Sequence, residues 1–147
     1  MRIFFAVIFL TVANFAYADA SPPTNADPTW LVEARASIKT GKFEQAIQQL
    51  QSSNQASSAD WNNLMGFSLR QQSKPDLLNA ENYYKAALRI DPKHKGALEY
   101  YGMLKLTQND LPGAEELLAR LNRVCFFGCE EYADLKEAIK IYKSKKK

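Results

Sequence analysis

Three alanines, Ala46, Ala80 and Ala114, stand 34 residues apart, and each sits in the same local setting. Three positions before each comes a large apolar side chain, Phe43, Leu77 or Leu111. Four positions after each comes another, Leu50, Tyr84 or Leu118. A small residue among bulky ones at helical spacing marks a close helix–helix contact. Its return at a fixed long period means that one supersecondary unit is stacked on copies of itself, since each unit has an apolar face that only a neighbour can cover.

Between these landmarks the chain is a succession of helix signals. Residues 30–39 are helical in character and stop at Gly41. Phe43, Ala46, Ile47 and Leu50 form an apolar stripe that ends in the polar residues 51–58. Trp61, Leu64, Met65 and Leu69 form the next, up to the break Gln72-Ser73-Lys74-Pro75, where Pro75 suits a first helical turn. Leu77, Ala80, Tyr84 and Leu88 follow, stopped by Asp91-Pro92. Leu98, Tyr101, Leu104 and Leu106 give another helix, and Asp110 with Pro112 reads as the start of one that runs to about residue 124. A last helix is expected over residues 130–142, with Glu130 and Glu131 at its positive end and lysines at its negative end. No stretch alternates with period two long enough to make a strand. The expected class is all-α.

Further small residues complete the pattern. Met65-Gly66 and Tyr101-Gly102 put a glycine in the first helix of copies two and three, with Ala34 in that place in copy one. The middle copy closes on Tyr84, Ala87 and Leu88, followed by Asp91 and Pro92. This resembles the tetratricopeptide repeat, over about residues 28–125. The resemblance implies a helical-hairpin solenoid with hairpins at about residues 29–57, 58–93 and 94–124. In it Gly66, Gly102, Ala46, Ala80, Ala87 and Ala114 let the two helices of a hairpin approach closely. Gly102 and Ala114 are twelve apart, whereas Gly66 and Ala80 are fourteen apart, a two-residue insertion in the turn around Lys74-Pro75. Trp61 lies one position off the family's tryptophan site. Residues 125–147 follow as a Cys-x3-Cys turn, a capping helix and a basic tail. On the cap Tyr132, Leu135, Ile139 and Tyr142 make an apolar stripe, opposite Asp134, Lys136, Glu137 and Lys140.

The resemblance also implies a role as a non-enzymatic protein–protein interaction module that binds a peptide or helix in a concave groove. Carried over by position, the groove residues are Leu31, Arg35 and Ile38 in copy one. Copy two supplies Asn63, Phe67, Arg70 and Gln71, and copy three supplies Glu99, Tyr100, Met103 and Leu106. Phe67, Tyr100, Met103 and Leu106 are expected to form an apolar floor, with Arg70 and Glu99 as polar ends. The family's Lys/Asn clamp for a terminal carboxylate is not reproduced, because Asn63 matches one position but no lysines accompany it.

The beginning of the chain addresses it for export. Arg2, an uninterrupted apolar run from Ile3 to Leu10, and Ala16-Tyr17-Ala18 make a secretory signal over residues 1–18. The run is shorter than the ~20 residues that span a bilayer, so no membrane span is expected after cleavage. Cleavage is expected after Ala18, with Ala20 closing a second register, and residues 19–28 with their three prolines read as a linker. The expected location is the periplasm, with secretion as the alternative.

An oxidising compartment bears on Cys125 and Cys129. Gly128 suggests a turn that brings their Cα atoms within disulfide range, and so short a loop contributes about 2 kcal/mol. A redox-active pair is a second reading, although the spacing is not Cys-x-x-Cys. A metal pair is a third, without a nearby third ligand in the sequence.

Composition narrows the role further. A net charge of +3 with no dense basic face speaks against nucleic acid. The single histidine, His94, stands beside Asp91-Pro92-Lys93, with no nucleophile paired to it, and no Gly-rich phosphate loop occurs. Neither catalysis nor a cofactor nor a metal is expected. Two alternatives to the adaptor remain: a self-associating accessory subunit of an envelope complex, and a small thiol redox protein resting on the two cysteines.

Overall fold

A computed structural model of the chain describes residues 27–146, so the expected secretory signal and nearly all of the expected linker lie outside the described residues. Within them seven helices follow one another: α1 (Thr29–Lys39), α2 (Phe43–Ser53), α3 (Ala59–Gln71), α4 (Leu77–Ile90), α5 (Lys95–Thr107), α6 (Leu111–Val124) and α7 (Glu130–Ser144). No strand occurs among the described residues. None of these helices is long and apolar enough to cross a membrane.

Side-chain caps start the helices from α3 to α6. Ser58, Asp76, His94 and Asp110 each accept a hydrogen bond from the backbone N–H three residues on. Pro112 lies in the first turn of α6, as its fixed φ favours. Pro75 does not lie in a first turn: it precedes the cap Asp76 and sits outside α4. That turn is tied to α2 through Ser73, whose backbone N–H and hydroxyl both donate to Glu44 Oε1, at 3.1 and 2.8 Å.

The helices pair as α1–α2, α3–α4 and α5–α6. The odd-numbered helices also touch in series, α1 to α3, α3 to α5 and α5 to α7, whereas α2, α4 and α6 do not touch one another. An inner layer of neighbouring odd helices is thus backed by splayed even helices, and the inner surface is the concave one. Ala46, Ala80 and Ala114 are all fully buried, as are Ala34 and Ala87.

Gly66 admits the buried ring of Tyr84 from its own hairpin: a Cβ there would lie 2.8 Å from a ring carbon and 3.1 Å from the Ala80 carbonyl oxygen. Gly102 also serves the end of the array: its Cβ position would meet Leu135 of α7 at 2.5 Å, so the glycine admits the terminal helix. Trp61 joins hairpins too, because its indole N–H donates to the Leu50 carbonyl at 2.7 Å and to Ser53 Oγ at 3.1 Å across the α2–α3 turn. On the joint between α4 and α5, Glu81 accepts from the Tyr101 hydroxyl and Gln108 Nε2 and pairs with Lys85 and Lys105.

The terminal helix buries Leu135 and Ile139 and leaves Asp134, Lys136 and Lys140 exposed on its other side. Tyr142 donates to Asn109 Oδ1 at 3.1 Å, and Lys143 pairs with Glu115, which fastens its far end. Because α7 packs on α5 as α5 packs on α3, it closes the array and also extends the inner layer by one helix.

Candidate functional site

One repeat period separates equivalent positions on neighbouring odd helices, so side chains about 34 residues apart meet across the inner surface. Asp60 Oδ1 lies 3.4 Å from His94 Nε2, and the two residues are 34 apart. Phe67 and Tyr100 meet with ring centroids 4.7 Å apart.

Between these helices opens a cavity of about 570 Å³. Arg35, Ile38 and Lys39 of α1 line it, with Asp60, Asn63 and Leu64 of α3. The α4–α5 turn adds Asp91, Lys93 and His94, α5 adds Lys95, Gly96, Glu99 and Tyr100, and α7 adds Glu131. Of the carried-over groove residues, Arg35, Ile38, Asn63, Glu99 and Tyr100 are therefore in its wall.

Phe67 and Arg70 stand beside it. The Phe67 ring touches Phe43 as well as Tyr100, and the Arg70 guanidinium lies 5.5 Å over the Phe67 ring. Gln71 is exposed at the end of α3. Met103 and Leu106 do not join Tyr100 in the expected floor, and Leu31 is not in the cavity wall. Leu31 belongs with Ala34 and Ser37 to the buried face of α1. Met103 and Leu106 pack against the cluster that contains Leu135 and Ile139, because α7 occupies the side of α5 that a further repeat would cover.

Charge is unevenly placed around the cavity. Arg35 pairs with Asp27 at 2.6 Å and Asp60 at 3.6 Å. His94 Nδ1 accepts from the Ala97 backbone, which leaves the proton on Nε2, facing Asp60. Glu99 is buried, and its carboxyl is pushed up to about 7, first by burial and then by the nearby acids Asp134 and Glu131, with Arg70 opposing. Burial likewise raises the Tyr100 hydroxyl.

Cys125 and Cys129 are joined, with Cα atoms 5.6 Å apart, and Gly128 turns the chain with a φ of 83°. Phe126 and Phe127 project from this loop at 89% and 104% exposure. A third ligand type does stand nearby, contrary to the expectation from the sequence: a Glu131 oxygen lies within 4.8 Å of both sulfurs. Bridged sulfurs are not thiolates, so the trio is no metal site in this state.

Sequence reasoning missed Phe43, Asp60, His94 and Glu131. The first three were findable, since the repeat period itself pairs Asp60 with His94 and puts Phe43 at the head of a second helix. Glu131 was not, because nothing in the sequence says that a terminal cap also joins the inner layer.

No protein-family model and no curated protein sequence matches the chain. Solved structures do. The translocator chaperone SycD of the Yersinia enterocolitica type III secretion system matches with a TM-score of 0.68 at 16% identity, over 80% of this chain and 83% of that one. The first TPR domain of human RPAP3 matches with a TM-score of 0.66 at 15% identity, over 80% and 91%. The fold is tetratricopeptide-like. A second SycD structure, in complex with a peptide of the translocator YopD, matches this tetratricopeptide-like array with a TM-score of 0.63 at 17% identity, over 80% and 92%.

Proposed function

We propose that this chain is a non-catalytic adaptor whose concave surface binds a peptide or helix of a partner protein. The observation that carries the reading is the stripe Phe43–Phe67–Tyr100 with Arg70 over its centre, beside a cavity walled by four helices of the inner layer. Rigid aromatic faces and an arginine supply most of the binding energy at protein interfaces. SycD, of similar fold, holds a translocator peptide, which supports the same class of ligand here. Export to the periplasm is part of the proposal and rests on the signal in residues 1–18.

Crosslinking in the native envelope tests it. A specific partner should be lost in Phe67→Ala/Arg70→Ala, with unchanged helical circular dichroism, and kept in Lys145→Ala. If all variants keep the partner, the concave surface is not the site. Processing is tested by the mass of the chain recovered from the periplasm, which should begin at residue 19 or 21.

A second reading, a self-associating accessory subunit, draws on the exposed Phe126 and Phe127. Sedimentation separates the two: a dimer that dissociates in Phe126→Ser/Phe127→Ser would favour this reading.

A further inference from the structure

Two buried residues, Glu99 and Asn63, line the cavity with acceptor oxygens that have no donor among the described residues. Glu99 of α5 is 7% exposed, and no described residue hydrogen-bonds to or ion-pairs with its carboxylate. Asn63 of α3 is 5% exposed, and its Oδ1 is buried without a partner. Both line the same space. The nitrogen side of the Asn63 amide is hemmed in by α5, where a Cβ on Gly96 would lie 3.0 Å from Nδ2.

A buried carboxylate is costly unless a cation or several donors compensate it. The charges around Glu99 increase that cost: Glu130, Glu131 and Asp134 of α7 are all acidic. Arg70 of α3 is the basic group among these neighbours, and its guanidinium lies over Phe67. Two acceptors beside the acids of α7 describe a place for a cation, and none of the basic residues that line the same cavity, Arg35, Lys39, Lys93 and Lys95, makes an ion pair with Glu99 among the described residues. Tyr100 and Phe67 border it with aromatic surface, against which the stem of a long side chain packs.

We propose that this corner of the groove is a subsite for one basic side chain of the bound peptide, an arginine or lysine whose cation pairs with Glu99 while Asn63 Oδ1 accepts a second hydrogen bond. The inference rests on the peptide-binding reading and adds the chemistry of the ligand. Charge-assisted bonds of this kind are about twice as strong as neutral ones and give a long side chain a fixed direction. Binding also depends on pH in a defined sense. Glu99 must be ionised to pair. Glu130, Glu131 and Asp134 from α7, Arg70 from α3 and Tyr100 on its own helix are near it. Arg35 and Lys39 of α1, Asp60 of α3, Asp91, Lys93 and His94 of the α4–α5 turn and Lys95 of α5 line the same cavity. With its carboxyl at about 7, affinity should fall as the pH is lowered from ~8 to ~6.

The probe is the blocked pentapeptide acetyl-Ala-Ala-Arg-Ala-Ala-amide, titrated into the purified chain and followed by the side-chain resonances of Glu99 and Asn63. The same peptide with neutral citrulline in place of arginine should bind about tenfold more weakly or worse. Glu99→Gln should remove that preference, and Asn63→Ala should reduce it, both with unchanged circular dichroism. Equal binding of the two peptides, or no binding of either, overturns the subsite. So does 1,4-diaminobutane binding as tightly as the arginine peptide, which would make the corner a site for free diamines. If Phe67→Ala abolishes binding of the arginine peptide while Glu99→Gln leaves it intact, the subsite is wrong and the groove stands. Loss of the envelope partner in Phe67→Ala/Arg70→Ala remains the separate test of the groove itself.

Discussion

Gly66→Ala should destabilise this protein although alanine is the better helix former. In an open helical position that exchange is favourable by about 1 kcal/mol. At Gly66 the new methyl carbon would stand 2.8 and 2.9 Å from two ring carbons of Tyr84 and 3.1 Å from the Ala80 carbonyl oxygen. Carbon atoms in good contact are ~3.5–4.0 Å apart. The Tyr84 ring is fully buried and has no solvent to swing into, and the Ala80 oxygen is backbone. Overpacking of this kind costs about 1–3 kcal/mol. Setting the middle of that range against the propensity gain leaves a net loss of about 1 kcal/mol, or roughly 4 °C in Tm for a domain of this size. Thermal and urea unfolding followed by circular dichroism measure it. The cause is isolated by a double-mutant cycle with Tyr84→Leu, since the methyl should cost less once the ring is gone. A Gly66→Ala variant at or above the wild-type Tm, additive with Tyr84→Leu, would refute the close approach of α3 and α4 as the reason for a glycine here.

Glu81→Gln should cost about 1–3 kcal/mol, because it removes the charge that Lys85, Lys105, Tyr101 and Gln108 share. Lys85 and Gln108 hold the Glu81 carboxyl down at about 2, below its ordinary value of 4.5. Its contribution is therefore complete above pH ~4.5 and is lost as the pH falls towards ~2, so urea midpoints of wild type and variant should converge between pH ~7 and pH ~3. Reduction of the Cys125–Cys129 bridge should cost about 2 kcal/mol, with α7 amides losing hydrogen-exchange protection before those of α3 and α4. Leu135→Ala should cost about 2–5 kcal/mol, since its side chain is fully buried against Gly102. Phe126→Ser/Phe127→Ser should stay within about 0.5 kcal/mol of wild type in urea-derived stability, since both rings are in solvent.

The alanines at 46, 80 and 114 determined the architecture on their own, because a small residue at a fixed period is a local signal that needs no knowledge of the far chain. The helix start at Asp110 was legible for the same reason: a cap is a contact between residues three apart. The groove was legible only in part. The tetratricopeptide resemblance implies that Phe67, Tyr100, Met103 and Leu106 face the groove, but not which of them a further helix will cover. Tertiary packing decided that α7 lies on α5, which left Met103 and Leu106 half-buried against the core, set Leu135 against Gly102 and brought Glu131 to the cavity wall. It also raised the Glu99 carboxyl above its ordinary value, since desolvation and the field of Asp134 and Glu131 depend on atoms more than about 30 residues away in the chain. Periodicity fixes what repeats, and the places where the array ends are set by contacts that do not repeat.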